Sequence, residues 1–335
     1  MQDRKLLLFF AKFLSLVLAV TLLLLVLNRI YVNGAYYSDT YGEVKKFENV
    51  PSGIALANTG TSHGLASFRY GELTDLTTFN FALSGEDIYH DFQTLKHFSA
   101  HLAEGCIVAI PTSYFSFCMS TTEPSQKRYY SYLDKNCLRG FSYETLINSK
   151  YLPVLRSGEY LFKDLIKDHT LDVGGMMLGD DTDVTQGQGG AQTGSTSDNA
   201  LQALEASLRS HAAGRAESWR AGYLLTGEDF MEENRRLLSE MVNYCKEQGW
   251  RPILVTTPIH STLNEAFSKE ELETYYFANM RTVSAETNVP WWDMSHDPHF
   301  SNTATYYSNS DHLSQTGGTA FTRCFLDYLT EKGYL

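Results

Sequence analysis

The sequence predicts an α/β protein with a mostly parallel sheet, carried behind one N-terminal apolar helix. Three observations predict it. Short apolar runs alternate with stretches of helical periodicity from residue 53 onward, the signature of strands linked by crossover helices. Gly60-Thr61-Ser62-His63-Gly64 follows the first run, and Asp311-His312-Leu313 precedes the last helical stretch. Chemically active residues therefore fall where parallel sheets place their sites, beyond the carboxyl ends of strands. Finally, Leu6 to Leu27 is almost wholly apolar.

That first run, interrupted only by Lys12, Ser15 and Thr21, is long enough as a helix to cross a hydrocarbon core of about 30 Å. Lys12 lies where its stem can snorkel toward headgroups. Arg4 and Lys5 precede the run, which predicts a cytoplasmic N-terminus and an extracytoplasmic remainder. A cleaved signal peptide is the competing reading. No Ala-x-Ala pattern follows Leu27, and the chain continues Asn28-Arg29-Ile30-Tyr31-Val32. The expected division is a cytoplasmic stub and membrane anchor over 1–32 and one extracytoplasmic domain over 33–335, localised to the cell membrane as a single-pass protein.

The elements follow in order. Gly53–Ala57 reads as a first strand and Thr78–Leu83 as a second. Ile88, Phe92, Leu95, Phe98 and Leu102 recur at helical spacing from Glu86 to Leu102, with Gly105 as the stop. Cys106–Ile110 is a third strand, halted by Pro111. Phe230–Gln248 is helical with Gly249 at its end, and Pro252–Thr257 is the next strand. Ser268 and Glu271 form a capping box that opens a helix over Ser268–Thr287. Val289–Met294 is a short strand and Gln315–Glu331 the closing helix. Val173–Asn199 is rich in Gly, Gln, Asp, Ser and Thr without periodicity, and reads as a flexible insertion or loop.

The net charge of −12 argues against nucleic acid and against a polybasic contact with lipid. The five cysteines lack Cys-x-x-Cys spacing, which removes zinc ribbons and thioredoxin-like sites. Cys106 and Cys245 read as small core residues, whereas Cys118 and Cys137 flank a loop-like stretch and could pair in an oxidising compartment. Asp293, His296, Asp297 and His299 are ligand types without ligand spacing. No metal site and no cofactor is expected.

A serine on a tight turn after a strand, with a histidine returning from near the C-terminus, reads as a serine-dependent ester hydrolase or acyltransferase. Gly60-x-Ser62-x-Gly64 matches the α/β-hydrolase nucleophile elbow literally. That fold places several strands before its elbow, however, and here Ser62 follows the first. No Gly-Lys-Ser/Thr follows to make a phosphate loop. His63 is expected to line the pocket. His260, after Thr257-Pro258-Ile259, is a substrate-contact candidate at a strand end. Tyr114, Phe115 and Phe117 read as wall or core in preference to a sugar platform.

The block order resembles the SGNH/GDSL hydrolase superfamily. Gly60-Thr61-Ser62-His63 is similar to its first block, Asn80-Phe81-Ala82-Leu83-Ser84-Gly85 to its second, and Asp311-His312-Leu313-Ser314-x-x-Gly317 to its last. The N-terminal anchor and the Leu-Ser-Gly block before an aromatic helix resemble its membrane-anchored branch. That branch includes the D-alanyl transfer protein of lipoteichoic acid synthesis (DltD) and proteins of polysaccharide O-acetylation. The resemblance implies a three-layer, flavodoxin-like fold, with Ser62 as nucleophile, His312 as general base, and the backbone N–H groups of Ser62 and Gly85 in the oxyanion hole. It also implies a polysaccharide or teichoic-acid-like acceptor in the cell envelope and a polytopic membrane O-acyltransferase as partner.

Two positions depart from the family. Its third block supplies an oxyanion-hole asparagine, and here the matching strand runs Ile110-Pro111-Thr112-Ser113, leaving a hydroxyl of Ser113 or Thr112 as substitute. Losing such a donor costs on the order of 3 kcal/mol of transition-state stabilisation. The family's acid lies three residues before the histidine, where this chain has Asn309. Asp311 is the nearest carboxylate, Asn309 a possible orienting residue by analogy with papain-like enzymes, and Asp293 a further candidate. These departures also admit a non-catalytic, membrane-anchored scaffold of the same fold that binds a glycan or an acyltransferase.

Overall fold

The computed structural model describes residues 2–119, 126–155 and 196–335. They fall into two compact units, one comprising residues up to 48 with 126–155, the other 49–119 with 196–335.

The first unit begins with α1 (Gln2–Val32), whose segment Arg4–Val32 is long and apolar enough to cross a membrane. The two hydroxyls in the apolar run are satisfied within the helix. Ser15 Oγ donates to Ala11 O and Thr21 Oγ1 to Val17 O, each at 2.8 Å, which lowers the cost of carrying them in an apolar medium. α2 (Ala35–Tyr41) follows. A short helical segment over 143–151 meets the end of α1 through Asn28, which donates to Tyr151 O and accepts from Val154 N, both at 3.2 Å.

The second unit is built on five parallel strands: β1 (Ile54–Asn58), β2 (Thr78–Asn80), β3 (Leu102–Thr112), β4 (Arg251–Thr256) and β5 (Trp291–Asp293). Their spatial order is β2-β1-β3-β4-β5, the flavodoxin-like winding, whose direction reverses between β1 and β3. β3 and β4 are buried on both faces and accordingly read as near-continuous apolar runs. Leu56, Ile107, Ala109, Ile253 and Val255 alternate toward α7 (Gln315–Glu331), packing on Phe321, Phe325 and Leu329. Thr112, of opposite parity, faces Tyr276 and Met280 on the other side. The outcome is a sheet between two helical layers.

The longer of the other helices described in this unit are α3 (Ser62–Ser67), α4 (Ile88–His97), α5 (Thr196–Glu247) and α6 (Ala278–Thr287). α4 is shorter than its periodicity predicts. Ser99–His101 form a 3₁₀ turn instead, Leu102 pairs with Ile54 and opens β3, and Gly105 (φ 72°) sits within that strand, its N–H on Gly249 O at 3.1 Å. Cross-strand bonding has overridden local helical preference. α5 exceeds the expected Phe230–Gln248 at its N-terminal end and breaks at Gly227 (φ 72°, ψ 172°). Of the predicted loop Val173–Asn199, residues 173–195 lie outside the described residues, and 196–199 already belong to α5. The capping box of Ser268 and Glu271 forms as predicted, and α7 has the predicted bounds.

Candidate active site

The turn after β1 is fixed by backbone and amide contacts. Thr59 N–H donates to Ala109 O on β3 at 3.1 Å, and Gly60 N–H to Asp91 Oδ1 on α4 at 2.9 Å. Asn58 and Asn80, partners in the β1–β2 register, are hydrogen bonded at 2.9 Å. Asn80 Nδ2 in turn donates to Gly64 O and Phe68 O of the α3 region, at 3.2 and 3.0 Å. Gly64 is required by space: a Cβ there would lie 2.6 Å from Thr59 O and 3.1 Å from Ala82 Cβ. Ser62 thus becomes the first residue of α3, capped by Thr61.

His312 arrives on a loop braced from behind. Ser308 N–H donates to His312 O at 2.9 Å and Ser314 N–H to Tyr306 O at 2.8 Å. α7 then passes so close that a Cβ on Gly318 would sit 2.3 Å from Ala66 O. Thr322 Oγ1 on α7 accepts from Arg69 N at 2.8 Å and lies 3.0 Å from Ser67 O. The helix that starts at Ser62 and the helix after His312 are therefore fastened to one another.

These supports bring His312 Nε2 to 2.7 Å from Ser62 Oγ. On the other side of the ring, Nδ1 lies 3.0 Å from Asn309 Oδ1, which also accepts the backbone N–H groups of His312 (2.8 Å) and Asp311 (3.2 Å). Two backbone donors require an oxygen at that position, so Nδ1 carries the ring proton and Nε2 presents its lone pair to Ser62. Asp311 Oδ1 is also 3.2 Å from Nδ1, but it is off the N–H axis and accepts no hydrogen bond from the described residues. Asn309 orients the ring, and Asp311 contributes charge beside it.

Asp311 is a buried charge hub. Its Oδ2 lies 3.2 Å from His63 Nε2 and 3.0 Å from Arg215 Nε, and its Oδ1 lies 3.8 Å from His211 Nδ1. Burial opposes its ionisation, but the His312 and His63 rings outweigh that effect and hold the carboxyl well below the usual carboxylate range. His63 is buried and its ring meets His312 edge-on at 4.8 Å. Burial pushes its pKa down to about 4 against the pull of Asp311, so it is a neutral donor to the carboxylate. His63, Asp311 and His312 offer ligand atoms within 4.8 Å of one another. These three could hold a cation, but as placed the His63 and His312 Nε2 atoms face Asp311 and Ser62.

Arg215, His211 and the nearby Trp219 come from the first arm of α5 and were not singled out from sequence. The signal was present. Leu208, Ala212, Ala216, Trp219 and Tyr223 recur at helical spacing and are all buried.

Among the oxyanion candidates, the Ser62 and Gly85 N–H groups have no protein acceptor among the described residues, and Gly85 takes φ 62° in the turn after Leu83. Ser113 Oγ is buried and has no hydrogen-bond partner among the described residues, while its N–H donates to Ser116 Oγ at 2.8 Å. Thr112 Oγ1 instead bonds Tyr276 OH at 2.7 Å, inside the core. His260 caps the short helix Ser261–Asn264, its ring Nδ1 accepts from Thr262 N at 3.3 Å, and its backbone N–H donates to Ser310 O at 3.2 Å. It braces the His312 loop from behind. Asp293 accepts from Ser295 N and Oγ at 3.0 and 2.7 Å, and Asp297 caps the turn at 298–301. Tyr114, Phe115 and Phe117 are buried, with Phe115 and Trp219 both against His63. Cys118 is a buried thiol donating to Phe115 O, its pKa pushed up to about 12 by burial.

No protein-family model matches the chain, and no curated protein matches it. Among the solved structures that match is a Bacteroides fragilis protein provisionally described as an acylhydrolase, at 9% identity and a TM-score of 0.37, covering 87% of this chain and 95% of that one. At that level the likeness carries no functional argument, which rests on the site.

Proposed function

We propose that this chain is a membrane-anchored, SGNH-type serine esterase or O-acyltransferase, with its catalytic unit on the extracytoplasmic side. The observation that carries the reading is the 2.7 Å approach of His312 Nε2 to Ser62 Oγ, with the ring tautomer set by Asn309 Oδ1 at 3.0 Å. Ser62 Oγ attacks the ester carbonyl as its proton passes to Nε2. The imidazolium is held by Asn309 and offset by the buried charge of Asp311. The N–H groups of Ser62 and Gly85, with the Ser113 hydroxyl, receive the developing oxyanion. Collapse of the intermediate breaks the ester C–O bond, and His312 returns its proton to the leaving alcohol. Water or an acceptor hydroxyl, deprotonated by His312, then releases the acyl group from Ser62.

The block resemblance supports a cell-envelope polysaccharide or teichoic-acid-like polymer as acceptor and a polytopic O-acyltransferase as partner. The test is intact-mass analysis of the detergent-solubilised full-length protein after exposure to a fluorophosphonate. Wild type gains one adduct, Ser62→Ala none, and His312→Ala reacts slower by about 10²–10⁴-fold. A folded wild type that takes no label overturns the esterase reading in favour of a non-catalytic scaffold.

A further inference from the structure

The segment over residues 143–155 carries a stripe that a water-facing helix does not carry. Tyr143, Ile147, Tyr151 and Leu155 recur every fourth position and are 70%, 45%, 60% and 51% exposed. Residues 143–151 are helical, opened by Ser142, whose side chain accepts from Thr145 N at 3.3 Å. Ser149 and Val154, which fall between the stripe positions, are buried. The segment thus carries four large apolar side chains on its outer side, beside Glu144 and Lys150, while Ser149, Pro153 and Val154 are packed inward.

Its location supplies the occupant. Asn28 is the first polar residue after the apolar run Leu6–Leu27, so it marks the exit level of α1 from the hydrocarbon. Asn28 makes two hydrogen bonds to this segment, to Tyr151 O and from Val154 N, both 3.2 Å. Tyr31, one turn further along α1, is buried against Val154. The segment that bears the stripe is therefore fastened to α1 at the level where the exposed apolar residues Leu25, Val26 and Ile30 lie. Two of its four residues are tyrosines, which favour the headgroup level, and Lys150 is exposed beside it with a stem able to snorkel.

We propose that residues 143–155 form a second membrane contact, an interfacial segment whose Tyr143, Ile147, Tyr151 and Leu155 enter the headgroup–acyl boundary beside the end of α1. The chain is then held to the bilayer at two places, and the first unit cannot swivel freely on a single helix. This inference rests on α1 spanning the membrane and stands apart from the ester chemistry.

The test uses the full-length protein in phosphatidylcholine vesicles doped with a phosphatidylcholine bearing a diazirine in its acyl chain, followed by irradiation and peptide mass spectrometry. Carbene adducts are expected on α1 and also on 143–155, the latter about fivefold or more above those on the peptide containing α7. The variant Tyr143→Ser/Ile147→Ser/Tyr151→Ser/Leu155→Ser, altered only at exposed positions, is expected to lose the 143–155 adducts while keeping those on α1 and its melting transition. Adducts confined to α1 overturn the proposal. So does deuterium-exchange protection of 143–155 that follows protein density instead of lipid, which would assign the stripe to a second copy of the chain. Absence of adducts from α1 removes the anchor and the proposal together, whatever the fluorophosphonate result.

Discussion

The two halves of the candidate site are held in different ways. Ser62 sits on a turn fixed by its immediate surroundings: strand register, the Asn58–Asn80 pair, and a glycine with no room for a Cβ. His312 sits on a loop whose shape is set locally by Asn309. Its electrostatics come from elsewhere, through Asp311 and side chains on α3 and α5. The serine half is a steric construction and the histidine half a charge construction. The first is tuned by volume, the second by protonation and by partners distant in sequence.

The sharpest break in this comparison is at Ser62 Oγ and His312 Nε2, the atoms that the proposed reaction uses. Ser62→Ala and His312→Ala are each expected to lower ester turnover by about 10³-fold or more with little change in melting temperature. A large loss of stability in either would mean that the residue is structural. Next comes the division of labour behind the ring. Asn309→Ala is expected to lower kcat by about 10²–10⁴-fold because it releases the Nδ1–H tautomer. Asp311→Asn, which leaves the orienting bond in place, should lower kcat by about 10-fold. The reverse order would make Asp311 the orienting acid.

The charge half also predicts a pH signature. His63 is held at about 4 in the fold against about 6.5 unfolded. The unfolded chain therefore takes up its proton first, and stability falls as pH drops from about 6.5 to about 4, by about 3 kcal/mol in all. Asp311 is depressed, so its own contribution disappears only below the usual carboxylate range. Denaturant titrations at pH 7 and pH 4.5 should show the loss in wild type and a flatter profile in His63→Gln. An equal slope in the variant would remove His63 as its source.

The steric half should answer only to volume. Gly64→Ala is expected to destabilise by about 2 kcal/mol, equally at both pH values, since its Cβ meets Thr59 O. A neutral effect would show that the turn can give way. The smallest change expected is from Arg215→Met, about 1 kcal/mol, because the guanidinium is a quarter exposed and its Nε–H is off the axis to Asp311. Measuring it in the Asp311→Asn background should abolish the effect if the two act as a pair.

The same division governs what could be read in advance. The strand–helix alternation, the capping box at Ser268 and the bounds of α7 follow from local periodicity and side-chain capping, and all were legible. So were the places of Ser62 and His312 in the fold, because a serine just after a strand and a histidine just before a helix are local patterns. The first arm of α5 was missed although Leu208, Ala212, Ala216 and Trp219 carry a helical period. The Gly-rich stretch Val173–Asn199, read as a flexible insertion, runs directly into it and hides where the helical period begins. The premature end of α4 was beyond any local reading, since Leu102 pairs with Ile54, nearly fifty residues earlier.

By itself, then, the sequence determined the layers, the serine turn after β1 and the histidine that returns to it, since each depends on residues within a few positions of one another. The tertiary structure alone decided that Asn309 holds the ring, that Asp311 is shared among His63, His312 and Arg215, and that Thr112 faces the core. Those outcomes depend on which distant side chain reaches a buried charge first, and burial makes that contest steep. A carboxylate out of water must be compensated by whatever donors the fold brings near it, and no spacing along the chain records which ones those are.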